Sequence, residues 1–414
     1  MMKQKHLLQG KKSNGVGYFF ILGMDVEDDK FLLGVYKNDA IKLVGRFSEG
    51  MTETEKMSLK ETIKKNSNKH DGQRLYIEPN LCVKVKFAQL NNDEIINPQF
   101  LSFEFRMDAQ TCTWNRLVLD NLDVDITSRD KPIWNEPLLN KEDYLIYLYY
   151  ISPYMLPFLR QRALTVKRYP HGVSGEYFYQ KNAPDYSPNF IKTKMIDEIN
   201  YIVCNDLKSL LWLGNQLAIE FHIPYETIDR TKPVEIVFDL DPPNRDYFPL
   251  AIKAALEMKK IFEQFSIKSF PKLSGNKGIQ IHIPIHKLDL SYDETKLFTS
   301  FIANYLVEHF PKDFTIERLK KHRGKKLYID YVQFAEGKTI ICPYSARGTE
   351  EGTVAAPLFW DEINSQLQIE TYTIPHVLTR MANIDCPLRN FFTEENLAVK
   401  RVIDSLKEND WKAL

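Results

Sequence analysis

The stretch EIVFDLDPP, residues 235–243, decides how most of this chain is read. Val234, Ile236, Phe238 and Leu240 alternate with Glu235, Val237, Asp239 and Asp241. A period of two sends successive side chains to opposite faces, so the run reads as a strand with one apolar face. Asp239 and Asp241 leave the other face together, roughly 7 Å apart along the backbone. Pro242 and Pro243 lack the N–H that a ladder requires, and the strand ends there. Two carboxylates at one strand end repel each other unless something positive sits between them. A solvated strand terminus is one reading. A divalent-metal site is the other, because hard cations take carboxylate oxygens.

Working outward, 414 residues are long for one domain and suit two or three. Hydrophobic residues at 43% and charged residues at 27% indicate a soluble globular protein. Lys+Arg and Asp+Glu both number 55, so any nucleic-acid surface must be local. The five cysteines form no C-x-x-C pair, which argues against a zinc knuckle or a disulfide framework and fits a reducing cytoplasm. No apolar run approaches the roughly 18 residues of a membrane span. VGYFFILGM follows a basic start but lacks a cleavage site, and reads as a strand rather than a signal peptide.

Residues 1–15 read as a basic tail and 16–107 as a small β domain. Short strand-like runs there surround one helix, TETEKMSLKETIKKN, opened by Thr52 or Thr54. That pattern matches an OB-type barrel, and a sandwich would look similar. Residues 108–124 are polar and weakly patterned, as in a linker. From 125 to 414, helices alternate with the strands 234–241, 278–285 and 325–333, giving an α/β fold. The expected helices are NKEDYLIYLYYISPYMLPFLRQR after Asn140, NDLKSLLWLGNQLAIEFH near Asn205, FPLAIKAALEMKKIFEQF and DETKLFTSFIANYLVEHF.

Four further stretches carry chemistry. KLSGNKGIQIHIP, 272–284, makes a tight turn with a hydroxyl at Ser274, a cation at Lys277 and free backbone N–H groups, which suits phosphate oxygens. Gln280 and His282 then share the polar face of the next strand. In RGKKLYIDYVQ, 323–333, Asp330 lies inside a strand and needs a partner: a shared metal, or an ion pair with Arg323. Arg347, in the turn of PYSARG, is placed to fork onto a phosphate. In QRALTVKRYPHGVSGEYFYQKN, 161–182, cations interleave with aromatic rings, as in a groove for unstacked bases or on a solvated basic face. Together these parts suit nucleotidyl transfer, in which two metals about 4 Å apart activate a hydroxyl and steady the leaving oxygen.

FDLDPP, SGNKG, RGKKLYIDYVQ, PYSARG and PLFWDE, in this order, closely resemble the polymerase domain of bacterial ATP-dependent DNA ligase D, of the archaeo-eukaryotic primase superfamily. The resemblance implies a primase-like fold with a central mixed sheet that fills gaps at double-strand breaks during non-homologous end joining. It implies that Asp239, Asp241 and Asp330 bind two Mn²⁺ or Mg²⁺ ions. Ser274, Lys277, His222, Arg323, Arg347 and Gln280 would hold the nucleoside triphosphate. Lys131 and Lys141 would grip a recessed 5′-phosphate, and Lys167, Arg168, Phe178 and Tyr179 would contact template. A Ku homodimer is the implied partner, in the nucleoid-associated cytoplasm and away from membrane. Three positions depart from the family pattern: Gln280 replaces the histidine of GLH, Ser128 replaces an asparagine near the 5′-phosphate, and Phe158 replaces the histidine of LPHL.

Residues 16–107 resemble the OB-fold domain that closes the ligase unit of the same family in its ligase-first order, with Arg106 in the last ligase motif. KHDGQR, 69–74, fits the adenylation pattern K-x-D-G-x-R, but no nucleotidyltransferase domain follows it. The adenylation domain is therefore expected to be missing and sealing of nicks absent. The competing expectations are a non-catalytic module that bridges DNA ends, a primer-independent primase and a metal-dependent phosphohydrolase.

Overall fold

The computed structural model describes residues 14–91 and 93–411. Residues 1–13, most of the expected tail, lie outside the described part. The chain divides into two compact units, 1–125 and 126–414.

In the first unit, strand Gly15–Asp25 pairs with Lys30–Lys37, Arg74–Tyr76 and Cys82–Phe87. Ala40–Phe47 extends the sheet on one side and Gln99–Phe103 on the other. A parallel bridge from Glu49 to Gln99 returns the last strand to the end of the third, curling the sheet into a small barrel. Phe19, Phe20, Leu32, Val83 and Val85 fill it with no exposure. The helix Glu53–Asn66 opens on Thr52 in a capping box with Glu55 and buries Leu59 and Ile63.

Residues 108–124 are not the linker that their polarity suggested. Thr113 caps a helix, Trp114–Asp120, that buries Trp114, Leu117, Val118 and Leu119. The Cys112 carbonyl accepts a hydrogen bond from the Tyr36 amide, which joins this segment to the barrel.

Among the described residues, the second unit holds two larger sheets and two two-stranded ones, Pro132–Trp134 with Leu139–Asn140 and Lys192–Ile196 with Ile199–Val203. The first larger sheet has five strands in the order Phe270–Leu273, Ile279–Pro284, Glu235–Asp241, Leu327–Asp330, Phe314–Thr315, antiparallel except for the last pair. Ile236, Phe238 and Leu240 are wholly buried. Phe238 packs on Phe262 of helix Phe248–Gln264 and Phe298 of helix Tyr292–His309, at 5.8 and 6.2 Å between ring centres. Those helices cover the apolar face and leave the aspartate face for the cleft.

The second sheet runs Phe178–Gln180, Thr165–Arg168, Ala218–Pro224, Thr339–Ile341. Helix Lys141–Leu159 backs it, with the Tyr144 hydroxyl donating to the Ala218 carbonyl at 2.8 Å. The helix expected from Asn205 to His222 stops at Asn215. Leu217 turns to φ +61°, and Ala218–Pro224 continues as the strand that carries His222. β-Branched and aromatic residues there suit a pleated, buried strand better than a helix end.

Residues 342–358 tie the sheets together. Cys342 donates to the Phe221 carbonyl of the second sheet, while Leu273 of the first sheet donates to Ala356. Beneath this arm lies a closed ionic layer. Arg162 donates to the Pro224 carbonyl and pairs with Glu235 at 3.0 Å, and His282 Nδ1 lies 2.8 Å from the other Glu235 oxygen.

Candidate active site

The antiparallel register places Asp330 directly across from Asp239, with Gln280 on the other side of Asp239. Asp241 follows on the same face. Loss of water around Asp239, with Asp241 and Asp330 beside it, pushes its pKa up to about 7. Burial also raises Asp330. This is a cluster of hard oxygen donors, a donor set suited to Mg²⁺ or Mn²⁺ rather than to a soft metal.

The three-acid cage itself is not assembled. Among the described residues, no group of three His, Cys, Asp or Glu side chains is gathered to hold one ion. Each acid is turned to a protein partner. Asp241 faces Lys277 at 3.0 Å and Arg323 at 3.8 Å. Asp330 accepts from the Tyr328 hydroxyl at 3.2 Å and the Gln333 amide at 2.8 Å. Asp239 accepts from Gln280 Nε2 at 3.2 Å. Their backbones are adjacent: Asp330 is the direct partner of Asp239, and Asp241 lies two residues on along the same strand.

The Ser274 turn also differs from expectation. Its N–H groups are not free: those of Asn276, Lys277 and Gly278 point at Ser274 Oγ at 3.3, 3.4 and 3.0 Å. A serine hydroxyl at the head of a tight turn satisfies them locally. Gly275 adopts φ +72°, and a Cβ there would lie 2.7 Å from Arg347 Cγ. The Thr353 hydroxyl holds its carbonyl. The turn thus rests against Arg347. Lys277 folds back onto the Pro242 carbonyl at 2.7 Å, and Gln280 is held by the buried Lys272. Arg323 lies over the Tyr328 ring, 3.6 Å from its centre.

On the facing sheet, His222 and Arg347 meet at Glu220, which the sequence reading passed over. His222 Nε2 lies 3.1 Å and Arg347 Nη1 3.3 Å from Glu220 Oε2. Burial would raise Glu220, but His222, Arg347 and Lys167 outweigh it and hold the carboxyl far below the usual range. Burial lowers His222.

The template candidates split between the two faces of one hairpin: Lys167 and Tyr179 form a ledge beside this cluster, and Arg168 and Phe178 pair on the other face. Lys167 sits 3.6 Å from the Tyr177 ring centre, and Phe178 and Tyr179 are 45% and 60% exposed. Arg168 braces the hairpin, bonding the Gln216 carbonyl at 2.7 Å and Gln180 at 3.0 Å. Lys131 and Lys141 are neighbours: the Lys141 amide donates to the Lys131 carbonyl at 2.9 Å. Lys141 Nζ reaches the Thr127 carbonyl at 2.5 Å. Burial, then Lys131, lowers its pKa to about 8.

Residues 140–388 match the family described as LigD, primase-polymerase domain. The chain belongs to this LigD family. The bifunctional non-homologous end joining protein LigD of Bacillus subtilis is 43% identical over 379 residues, 91% of this chain and 62% of that protein. The chain thus spans less than two thirds of that LigD. The multifunctional LigD of Mycolicibacterium smegmatis is 30% identical over 247 residues, covering 58% of this chain and 32% of that one. The polymerase domain of Mycobacterium tuberculosis ligase D, solved in complex with DNA, superposes with a TM-score of 0.61 at 26% identity. That match covers 66% of this chain and 99% of the solved domain. The second unit therefore has the primase-polymerase fold. None of the described helices is long and apolar enough to cross a membrane.

Proposed function

We propose that residues 126–414 form a template-dependent nucleotidyltransferase that extends primer ends across gaps at DNA breaks joined without homology. The reading rests chiefly on the register that sets Asp239, Asp241 and Asp330 side by side, facing a wall that carries His222 and Arg347. Asp239, Asp241 and Asp330 would hold Mn²⁺ or Mg²⁺. When bound, the ions lower the pKa of a primer 3′-hydroxyl and neutralise charge on the leaving pyrophosphate.

The remaining groups bind and orient. Arg347 offers a planar fork for two phosphate oxygens, and His222 stands two residues from the shared carboxylate. Lys277 and Arg323 occupy Asp241 and lie near enough to follow the triphosphate when a cation takes that carboxylate. The exposed ring of Tyr179, on the Lys167 face of the hairpin, gives a stacking surface for template bases, and Phe178 offers another on the opposite face. Lys131 and Lys141 form a recess for a 5′-phosphate.

The test is extension of a gapped duplex bearing a 5′-phosphate, with each nucleotide and each metal. Asp239→Ala is expected to lower the rate at least a thousandfold, about 4 kcal/mol of transition-state stabilisation. Unchanged extension removes the assignment of the site. A second reading, a non-catalytic module that binds DNA ends, is favoured by the pairing of Asp241 with Lys277 and Arg323. Duplex binding without any extension by the intact protein would select it.

A further inference from the structure

Glu220 is 4% exposed, yet its carboxylate meets five donors from three separate stretches. Oε2 takes His222 and Arg347. Oε1 takes the Tyr169 hydroxyl at 2.9 Å, the Gly348 amide at 3.1 Å and, more distantly, Lys167 Nζ at 3.6 Å. The fold builds this contact deliberately. Lys167 and Glu220 are direct partners in the strand register, and Thr165 pairs with His222. A Cβ on Gly348 would overlap the Tyr169 hydroxyl, so the glycine after Arg347 lets the tyrosine and the amide share one oxygen.

The partners fall into two chemical groups. Arg347 and His222 belong to the triphosphate side: the Ser274 turn rests on Arg347, and the Thr353 hydroxyl fastens that turn to the same arm. Lys167 and Tyr169 belong to the template side. Lys167 lies 3.6, 5.1 and 5.9 Å from the ring centres of Tyr177, Tyr169 and Tyr179. Tyr179 in turn meets the His222 ring edge-on at 6.3 Å. We propose that Glu220 is a positioning residue that couples the two sides, so that a triphosphate on Arg347 and His222 and a template strand on the Lys167 ledge each tighten the other. The proposal rests on the polymerase reading above.

Its physical basis is competition for one carboxylate. A phosphate drawing Arg347 or His222 away leaves Glu220 free to hold Lys167 and Tyr169 more firmly, which fixes the ledge. Such coupling is reciprocal, and sites of this kind are linked by about 5- to 150-fold in affinity. A carboxylate that only stabilised the fold would change neither ligand's affinity in response to the other.

The experiment measures binding of a labelled gapped duplex by anisotropy, with and without a nucleoside triphosphate whose α,β-bridging oxygen is a methylene. It is run with Mn²⁺ and repeated with chelator. For the intact chain, the triphosphate is expected to tighten the duplex at least fivefold. In Glu220→Gln that ratio is expected to fall below twofold, while KM for the transferable nucleotide rises about tenfold and kcat stays within threefold. Glu220→Asp should recover part of the ratio. Lys167→Met, which replaces no group on the triphosphate side, should lose it too and decides the matter if Glu220→Gln does not fold. An unaltered ratio in both variants, or no tightening in the intact chain, overturns the proposal. Tightening that Glu220→Gln abolishes, in a protein that extends no primer, keeps the coupling and removes only the polymerase reading.

Discussion

Two carboxylates on facing sheets, Glu220 and Asp239, have met opposite fates. Both lie on the inner face of a strand within one unit. Glu220 is surrounded by His222, Arg347 and Lys167 and stays ionised far below the normal range. Asp239 has acids for neighbours and is pushed up to about 7. Burial acts in the same direction on both, so the sign of the neighbouring charges decides the outcome. A compensated acid is fixed in its role by the protein alone. An undercompensated one keeps its appetite for a cation from solution.

Glu235 supplies the standard for full compensation. It has no exposure, and Arg162 and His282 occupy its two oxygens. Glu235→Ala is expected to lower stability by about 3–5 kcal/mol, because a guanidinium is left in a closed interior with no counter-charge. Urea unfolding followed by tryptophan fluorescence reads this. A cost below 1 kcal/mol would mean that water reaches the layer, and the contrast with Asp239 would lose its footing.

Asp239 should behave in the opposite way. Its folded-state pKa is raised above the ordinary 3.8. The folded protein therefore binds the proton more tightly than the unfolded chain, and stability falls as pH rises from about 4 to about 7. Asp239→Asn escapes that penalty. With chelator present, the variant is expected to melt several degrees above the intact protein at pH 8. The gap should narrow steadily toward pH 5 and close on addition of Mn²⁺ to the intact protein at pH 8. A pH-independent gap would show that the repulsion among Asp239, Asp241 and Asp330 is already relieved.

The difference between these acids also explains what the sequence could reveal. Asp239 and Asp241 are legible because alternation and the terminating prolines act within nine residues, and the strand 235–241 lies inside the range read from them. Glu220 is hidden in AIEFH by a helix reading that ran past Leu217. Had the run been taken with a period of two, Glu220 and His222 would have shared a face. The ionic layer is illegible for another reason: Arg162 and Glu235 are 73 residues apart, and no local pattern announces a partner at that distance. The helix Trp114–Asp120 was missed because seven residues carry little periodicity and are held by packing. The Ser274 turn was located correctly by its glycines, but its hydroxyl consumes the N–H groups that the phosphate reading left free.

Lys131 and Lys141 carry the comparison over to cations. Here too like charges sit together: Lys141 is 3% exposed, and burial with Lys131 nearby brings its pKa down to about 8. The nearby acid Glu142 is taken by Arg129 at 3.1 Å. What Asp239 lacks in positive charge, this pair lacks in negative charge, and a terminal phosphate dianion would supply it. Lys141→Met keeps the length and the apolar stem. It is expected to cut the preference for a 5′-phosphate over a 5′-hydroxyl end by five- to tenfold, about 1 kcal/mol. Binding to the 5′-hydroxyl duplex should scarcely change. In the intact protein the same preference should weaken as pH rises from 7 to 9, because the ammonium deprotonates near 8. The variant should be flat over that range. An equal loss on both duplexes would mean that Lys141 serves the fold through Thr127, and that the crowding of these two cations has no ligand to answer it.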